Sequence, residues 1–137
     1  MLLLWGARTG KQITSINASL ANKIEGSPDG KWIAEGAVDK RIWIRDARIL
    51  AVVREILAHD APVSQLKWHH LKRALVSSGS DQWIRILDPQ TGQLMEEFRR
   101  ADLHPEGLDS SGDGKQLGVR NSAVNATKIF APASFSN

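Results

Sequence analysis

Apolar and polar residues alternate along most of this chain with a period of two. "RIWIRD" (41–46) and "WIRILD" (83–88) alternate strictly, placing Ile42 with Ile44, and Ile84 with Ile86, on one face of a strand. "KWIAEGA" (31–37) and "RALVSSG" (73–79) read as short strands ending in small residues. "LAVVREI" (50–56), "SQLKWHH" (64–70) and "QLMEEF" (93–98) read as further strands. Between them sit Gly, Asp, Pro and Ser, the residues that tight turns demand. No segment sustains a helical period, so the pattern predicts an all-β chain.

The pattern also repeats. "WGARTG" from Trp5, "RDARIL" from Arg45 and "LDPQTG" from Leu87 are equivalent turns, with a degenerate copy, "FAPASF", from Phe130; the offsets are 40, 42 and 43 residues. "SPDGKW" from Ser27 and "SGDGKQ" from Ser111 lie 84 residues apart, two periods of 42. Lys31, Arg73 and Lys115 share that phase. At the midpoint, His69 in "HHLKRA", the turn residues are lost while the basic residue and the following strand remain. About four short antiparallel strands per period is the signature of a β-propeller blade. The expected fold is a partial β-propeller of two complete four-stranded blades (20–57 and 62–99), the end of a first blade (1–16) and part of a fourth (105–131). That makes 13 strands, the last being "ATKIFA" (126–131).

The segment "AHDAPVSQLKWHHLKRALVSSGSDQWIRILDPQTGQL" (58–94) resembles a WD repeat. His59 stands at the family's Gly-His histidine, Ser77 at its second-strand serine and Asp81 at its turn aspartate. Leu87-Asp88 stands at the Trp-Asp pair, keeping only the aspartate, and "SPDG" (27–30) is another frequent family element. The second and fourth blades match weakly, with Arg45 and Phe130 at the tryptophan position; Trp5 fits, but Gly6 follows it. The resemblance implies that His59, Ser77 and Asp81 form a buried hydrogen-bond network pinning the turn between the second and third strands of a blade. It implies a non-enzymatic scaffold for protein–protein interaction, without a cofactor. An alternative it implies is a regulatory or sensor segment of a signalling NTPase.

Composition narrows the chemistry. Eighteen Lys and Arg against 15 Asp and Glu give a net charge of +3, too small to make nucleic acid or an anionic membrane the default partner. There are no cysteines, so disulfides, thiolate metal sites and a cysteine nucleophile are excluded. "MLLLW" is too short for a signal sequence or a membrane span, so the expected compartment is the cytoplasm or the nucleus. Sequons at Asn17 and Asn125 carry no meaning without a secretory signal.

Four constellations invite other chemistry. His59, Ser77 and Asp81 are the residue types of a hydrolase triad, but no Gly-x-Ser-x-Gly elbow accompanies them. "DSSGDGKQLGVR" (109–120) begins like a calcium loop, but Arg120 occupies the position of the bidentate Glu. The same stretch fails as a phosphate loop, with Asp109 and Gln116 where Gly and Ser/Thr are needed. His69 and His70 are adjacent, so on a strand they point apart, and a solvated turn is the expectation. Arg41, Trp43 and Arg45, with Trp83 and Arg85, could form a base-stacking face; the expectation is that the tryptophans fill the space between blades with arginine stems over them.

Turns at one end of the sheets are the expected partner surface: Val38–Arg41, His59–Ala61 and Ser80–Gln82, with Lys40, Arg41 and Gln82 the named contacts. Thirteen strands do not close a ring of four to eight blades. Either the chain is a piece of a longer one, or two copies form a homodimer in which "KQITSI" of each completes the last blade of the other.

Overall fold

The computed structural model describes residues 1–17, 20–99, 102, 104–122 and 125–136. Four antiparallel sheets follow one another along the chain. The first pairs β1 (Leu2–Trp5) with β2 (Gln12–Ile16). The second holds β3 (Ala21–Gly26), β4 (Trp32–Ala37), β5 (Arg41–Asp46) and β6 (Val52–Leu57) in sequence order. The third repeats this with β7 (Val63–Trp68), β8 (Leu75–Gly79), β9 (Trp83–Leu87) and β10 (Leu94–Arg99). The fourth holds β11 (Pro105–Ser110), β12 (Leu117–Asn121) and β13 (Ala126–Phe130), and a 3-10 turn, Ala133–Phe135, follows it. These are the strands expected from the alternation, grouped as blades of a partial β-propeller.

The second, third and fourth sheets stack face to face. Ile42, Ile44 and Ala34 of the second sheet pack with Val63, Leu66, Trp68 and Leu75 of the third in one apolar cluster. Val76, Ile84 and Ile86 of the third pack with Leu117 and Val119 of the fourth in another. Ile42/Ile44 and Ile84/Ile86, one period apart, thus each face the next sheet along. The third sheet is covered on both faces, which is why β8, "LVSSG", is buried at every position despite two serines. Trp68 also reaches back, its indole N–H donating to the Glu25 carbonyl at 3.0 Å.

The turns repeat as the strands do. Ser27 donates to Asp29 (2.6 Å), and the N–H groups of Lys31 and Trp32 donate to Asp29 and Ser27 (3.0 and 2.9 Å). Ser111, Asp113, Lys115 and Gln116 reproduce the set at 2.6, 3.0 and 3.0 Å. Between them, on the same phase, His69 takes over the serine's task. Its Nδ1 accepts the N–H groups of Leu71 and Lys72 at 3.1 and 3.0 Å, and its Nε2–H donates to the Gly114 carbonyl at 2.8 Å. His69 is therefore buried, not solvated as expected of that turn; the ring is held because it replaces turn residues that this blade lacks. Gly114 sits at φ +70, and a Cβ there would lie 2.8 Å from the His69 ring, so two constraints require glycine. His70 is exposed, as expected.

Trp68 is buried and Trp32 packs on the cluster beside it; Trp43 and Trp83 are half-buried, and Trp5 is 54% exposed. Arg85 lies 5.3 Å over the Trp83 ring.

The segment after β13 folds back on the third sheet. Phe135 is fully buried in the second cluster, edge-on to His69 at 4.5 Å between ring centroids. Glu96 accepts the N–H groups of Ala133 and Ser134 (3.1 and 2.8 Å) and the Ser134 hydroxyl (2.7 Å). Burial opposes its ionisation, but these donors outweigh burial and lower its pKa. Emptying a fully buried aromatic site costs about 3–5 kcal/mol. Phe135→Ala is expected to destabilise by that amount in a urea titration, with Phe135→Leu recovering most of it; a loss near zero would show that the segment does not dock.

Candidate functional site

One end of the stacked sheets carries the turns at 38–40 and 80–82 and the crossover at 58–62. The backbone there is built alike in each blade. Lys40 and Gln82 both adopt left-handed φ (74 and 69), and Asn125 follows with 46. Asp39 and Asp81 each accept the N–H two residues on, from Arg41 and Trp83, both at 3.1 Å. The Lys40 carbonyl accepts the N–H groups of Ala58 and His59 (both 3.2 Å), so the crossover leaving the second sheet is bonded to that sheet's own turn.

His59 continues the connection into the third sheet. Its Nδ1 lies 3.0 and 3.1 Å from the two oxygens of Asp81, and its Nε2 lies 2.9 Å from the Ser77 hydroxyl. A carboxylate only accepts, so Nδ1–H donates to Asp81 and Nε2 accepts from Ser77. Asp81 also accepts the Asp60 N–H at 3.0 Å and has the Arg85 guanidinium at 3.7 Å. Arg85 in turn donates to the Ala58 carbonyl (2.6 Å) and pairs with Glu97 (2.8 Å). Gly79 leaves room for this: a Cβ there would lie 2.7 Å from both Asp81 Oδ1 and His59 Nδ1.

The electrostatics hold His59 neutral. Burial lowers its pKa below the ordinary 6.5, outweighing the neighbouring Asp81 carboxylate, which raises it. Burial opposes ionisation of Asp81 too, but the Asp60 and Trp83 amides and His59 prevail, and its pKa is lowered. A hydrolase would need an accessible hydroxyl beside this imidazole. Ser77 is 0% exposed within β8, so the three residues meet as a triad would while the hydroxyl faces no substrate space. Among the described residues, no three His, Asp or Glu side chains converge to hold a metal ion.

Lys40 is exposed on this face, and Gln82 is half-buried, accepting from Arg99 at 3.2 Å. Arg41 is engaged with Glu55 at 2.5 Å and with Asp39 at 4.0 Å. One feature escaped sequence reasoning. Glu35 and Arg45 stand one period before Ser77 and Leu87 and form a buried ion pair of 2.8 Å, with Arg45 also donating to the Leu50 carbonyl at 3.1 Å. The signal was the phase of 42, which sets a carboxylate where the next blade has a serine.

Two outcomes are expected of this geometry. Asp81→Ala leaves buried donors unpaired and costs about 1–3 kcal/mol. His59→Ala costs less once Asp81 is gone, because network members are non-additive; additive losses in urea titrations would contradict a shared network. The second outcome concerns pH. His59 is neutral when folded but protonates with its ordinary pKa of 6.5 when unfolded, so the unfolded chain binds more protons just below that value. Stability is therefore full above about pH 6.5 and declines as pH falls below it; His59→Gln should flatten this slope, and an unchanged slope would contradict the assignment.

No family model matches the chain. Over 70 residues, 51% of the chain, it is 35% identical to Retinoblastoma-binding protein homolog 5 of Caenorhabditis elegans. Over 94 residues it is 30% identical to Protein HIR1 of Candida albicans, a match covering 57% of the chain. The matches span 15% and 10% of those relatives' lengths. Among solved structures, that of U3-55K superposes with a TM-score of 0.70 at 18% identity, over 94% of this chain and 45% of that one.

Proposed function

We propose that the chain, which belongs to the WD-repeat β-propeller family as do these relatives and the structural neighbour, is a non-enzymatic scaffold for other proteins. The observation that carries this reading is the rigid end face. The turns at Lys40 and Gln82 share one unusual backbone conformation, and the His59 network anchors the crossover between them. Such a surface presents side chains at fixed spacing without ordering cost on binding, which favours affinity. Lys40, Arg41 and Gln82 are the proposed contacts. Of the two compartments expected, the nucleus fits the relatives better. No residue here favours the alternative of a segment regulating a signalling NTPase.

Lys40 is the clean probe, since it is exposed and its hydrogen bonds are made by its backbone. Lys40→Glu should abolish capture of the partner from nuclear extract while leaving the melting temperature unchanged; capture that survives would contradict this face as the contact. Arg41→Glu should add a stability loss of about 0.2–1 kcal/mol through its exposed ion pairs.

Assembly is part of the proposal. Among the described residues the first sheet has two strands and the fourth three, with β13 at its edge. Leu3, Trp5, Ile13 and Ile129 lie exposed on these sheets, an apolar surface that favours covering. In the homodimer, β2 of each copy adds to β13 of the other. Light scattering is expected to give twice 15.1 kDa, and truncation of residues 1–16 to abolish the pairing; a 15.1 kDa species contradicts it.

A further inference from the structure

The opposite end of the sheets carries the turns at 27–31, 47–51, 69–74, 88–93 and 111–116. There, between the second and third sheets, lies an open cleft of about 640 Å³. Its apolar lining includes Trp32, Ile44, Val53 and Trp68. Val53 is half-exposed on β6 and Trp32 is half-buried, while Ile44 and Trp68 belong to the buried cluster beneath.

The rim is basic. Lys31, Arg54, Lys72 and Arg73 line the cleft, as does one acid, Asp29; Lys72 is turned to the Ser134 and Ser136 carbonyls. That acid is occupied, accepting from Ser27 and from the Lys31 backbone N–H. Lys31, Arg54 and Arg73 differ from the cations that are held in ion pairs. Arg41, Arg45, Lys67, Arg85, Arg120 and Lys128 each pair with a carboxylate. At the cleft, Arg54 donates only to the Thr91 carbonyl at 3.5 Å, and Arg73 to the neutral Gln90 amide at 2.7 Å. A neutral acceptor is a weaker partner for a guanidinium than a carboxylate, so both are open to exchange. The sequence shows the same arrangement from another side. Lys31, Arg73 and Lys115 recur at intervals of 42, and each lies exposed on the equivalent turn of its sheet. His69 and His70 bond the second and third of those turns to each other. The cations therefore lie along one edge of the molecule.

We propose that this cleft binds an extended acidic peptide, with an apolar side chain seated against Val53 and Trp32 and carboxylates reaching Lys31, Arg54 and Arg73. The proposal rests on the scaffold reading only in taking the partner to be protein; it uses the opposite face and different residues. The same charges would attract a nucleic-acid strand. Peptide is favoured on two counts. Trp68 is buried and its indole N–H is already bonded to Glu25, so of the cleft's two tryptophans Trp32 alone is part-open, where a strand would stack successive bases on several rings. The net charge of +3 is also small for a phosphate-tracking surface.

The test uses the full chain and a fluorescein-labelled peptide of alternating Asp and Glu around one central Leu, read by anisotropy at low and high salt. Saturable binding that weakens with salt is expected. Replacing the Leu by Ala should weaken it, as should Val53→Asp, and Arg54→Glu and Arg73→Glu should each weaken it about tenfold. Lys40→Glu should leave peptide binding unchanged, so loss of partner capture and loss of the cleft site are read separately. Melting temperatures check that each variant folds. No binding at low salt, or binding insensitive to Arg73→Glu, overturns the proposal. So does a single-stranded oligonucleotide of equal charge that binds more tightly.

Discussion

A sheet of four short strands has two faces and cannot bury either by itself. Much else in this molecule follows from stacking the second, third and fourth sheets on one another. The third sheet shows the consequence most fully, because it is covered on both sides by apolar clusters. Ser77 and Ser78 are carried into that interior by their place in β8. Each buried hydroxyl must then find a partner, or its desolvation goes uncompensated. Ser77 finds His59, and Ser78 lies 3.1 Å from the Ser64 hydroxyl. The network at this end of the sheets is thus a result of packing, and the anchoring of the crossover at 58–62 a result of the network.

Equivalent positions solve the same problem with different residues. One period before Ser77, Glu35 is buried too, and Arg45 neutralises it where the next blade has Leu87. One period after Gly79, Asn121 accepts the His104 N–H at 2.9 Å and donates to the Asp102 carbonyl at 2.7 Å, bonding backbone before β11 to the sheet. At the other end, serine, histidine and serine fill one turn position at 27, 69 and 111. The geometry is conserved within the chain while its chemistry drifts, which leaves the third blade alone close to the family pattern.

This explains what the sequence disclosed. Strict alternation in "RIWIRD" and "WIRILD", and turns spaced by 42, placed the strands and their grouping without further information. The meeting of His59 with Ser77 and Asp81 was legible from the family resemblance, since the pattern survives there. His69 was not. A histidine in place of a turn serine signals nothing locally, and its burial depends on Gly114 of the next sheet, 45 residues away. Phe135 was equally hidden, because its site is formed by the third and fourth sheets together and no periodicity marks a single residue after the last strand. The basic edge was visible as a phase, but its cleft required the sheets to be placed.

If face-to-face stacking governs the structure, stability should be highest where a sheet is covered twice and fall toward the ends of the array. Native-state amide hydrogen exchange of the full chain measures this strand by strand. The account predicts slowest exchange in β8 and its neighbours β7 and β9, intermediate exchange in the second and fourth sheets, and fastest in β1 and β2. Uniform protection across all four sheets, or β8 exchanging as fast as β1, would contradict it.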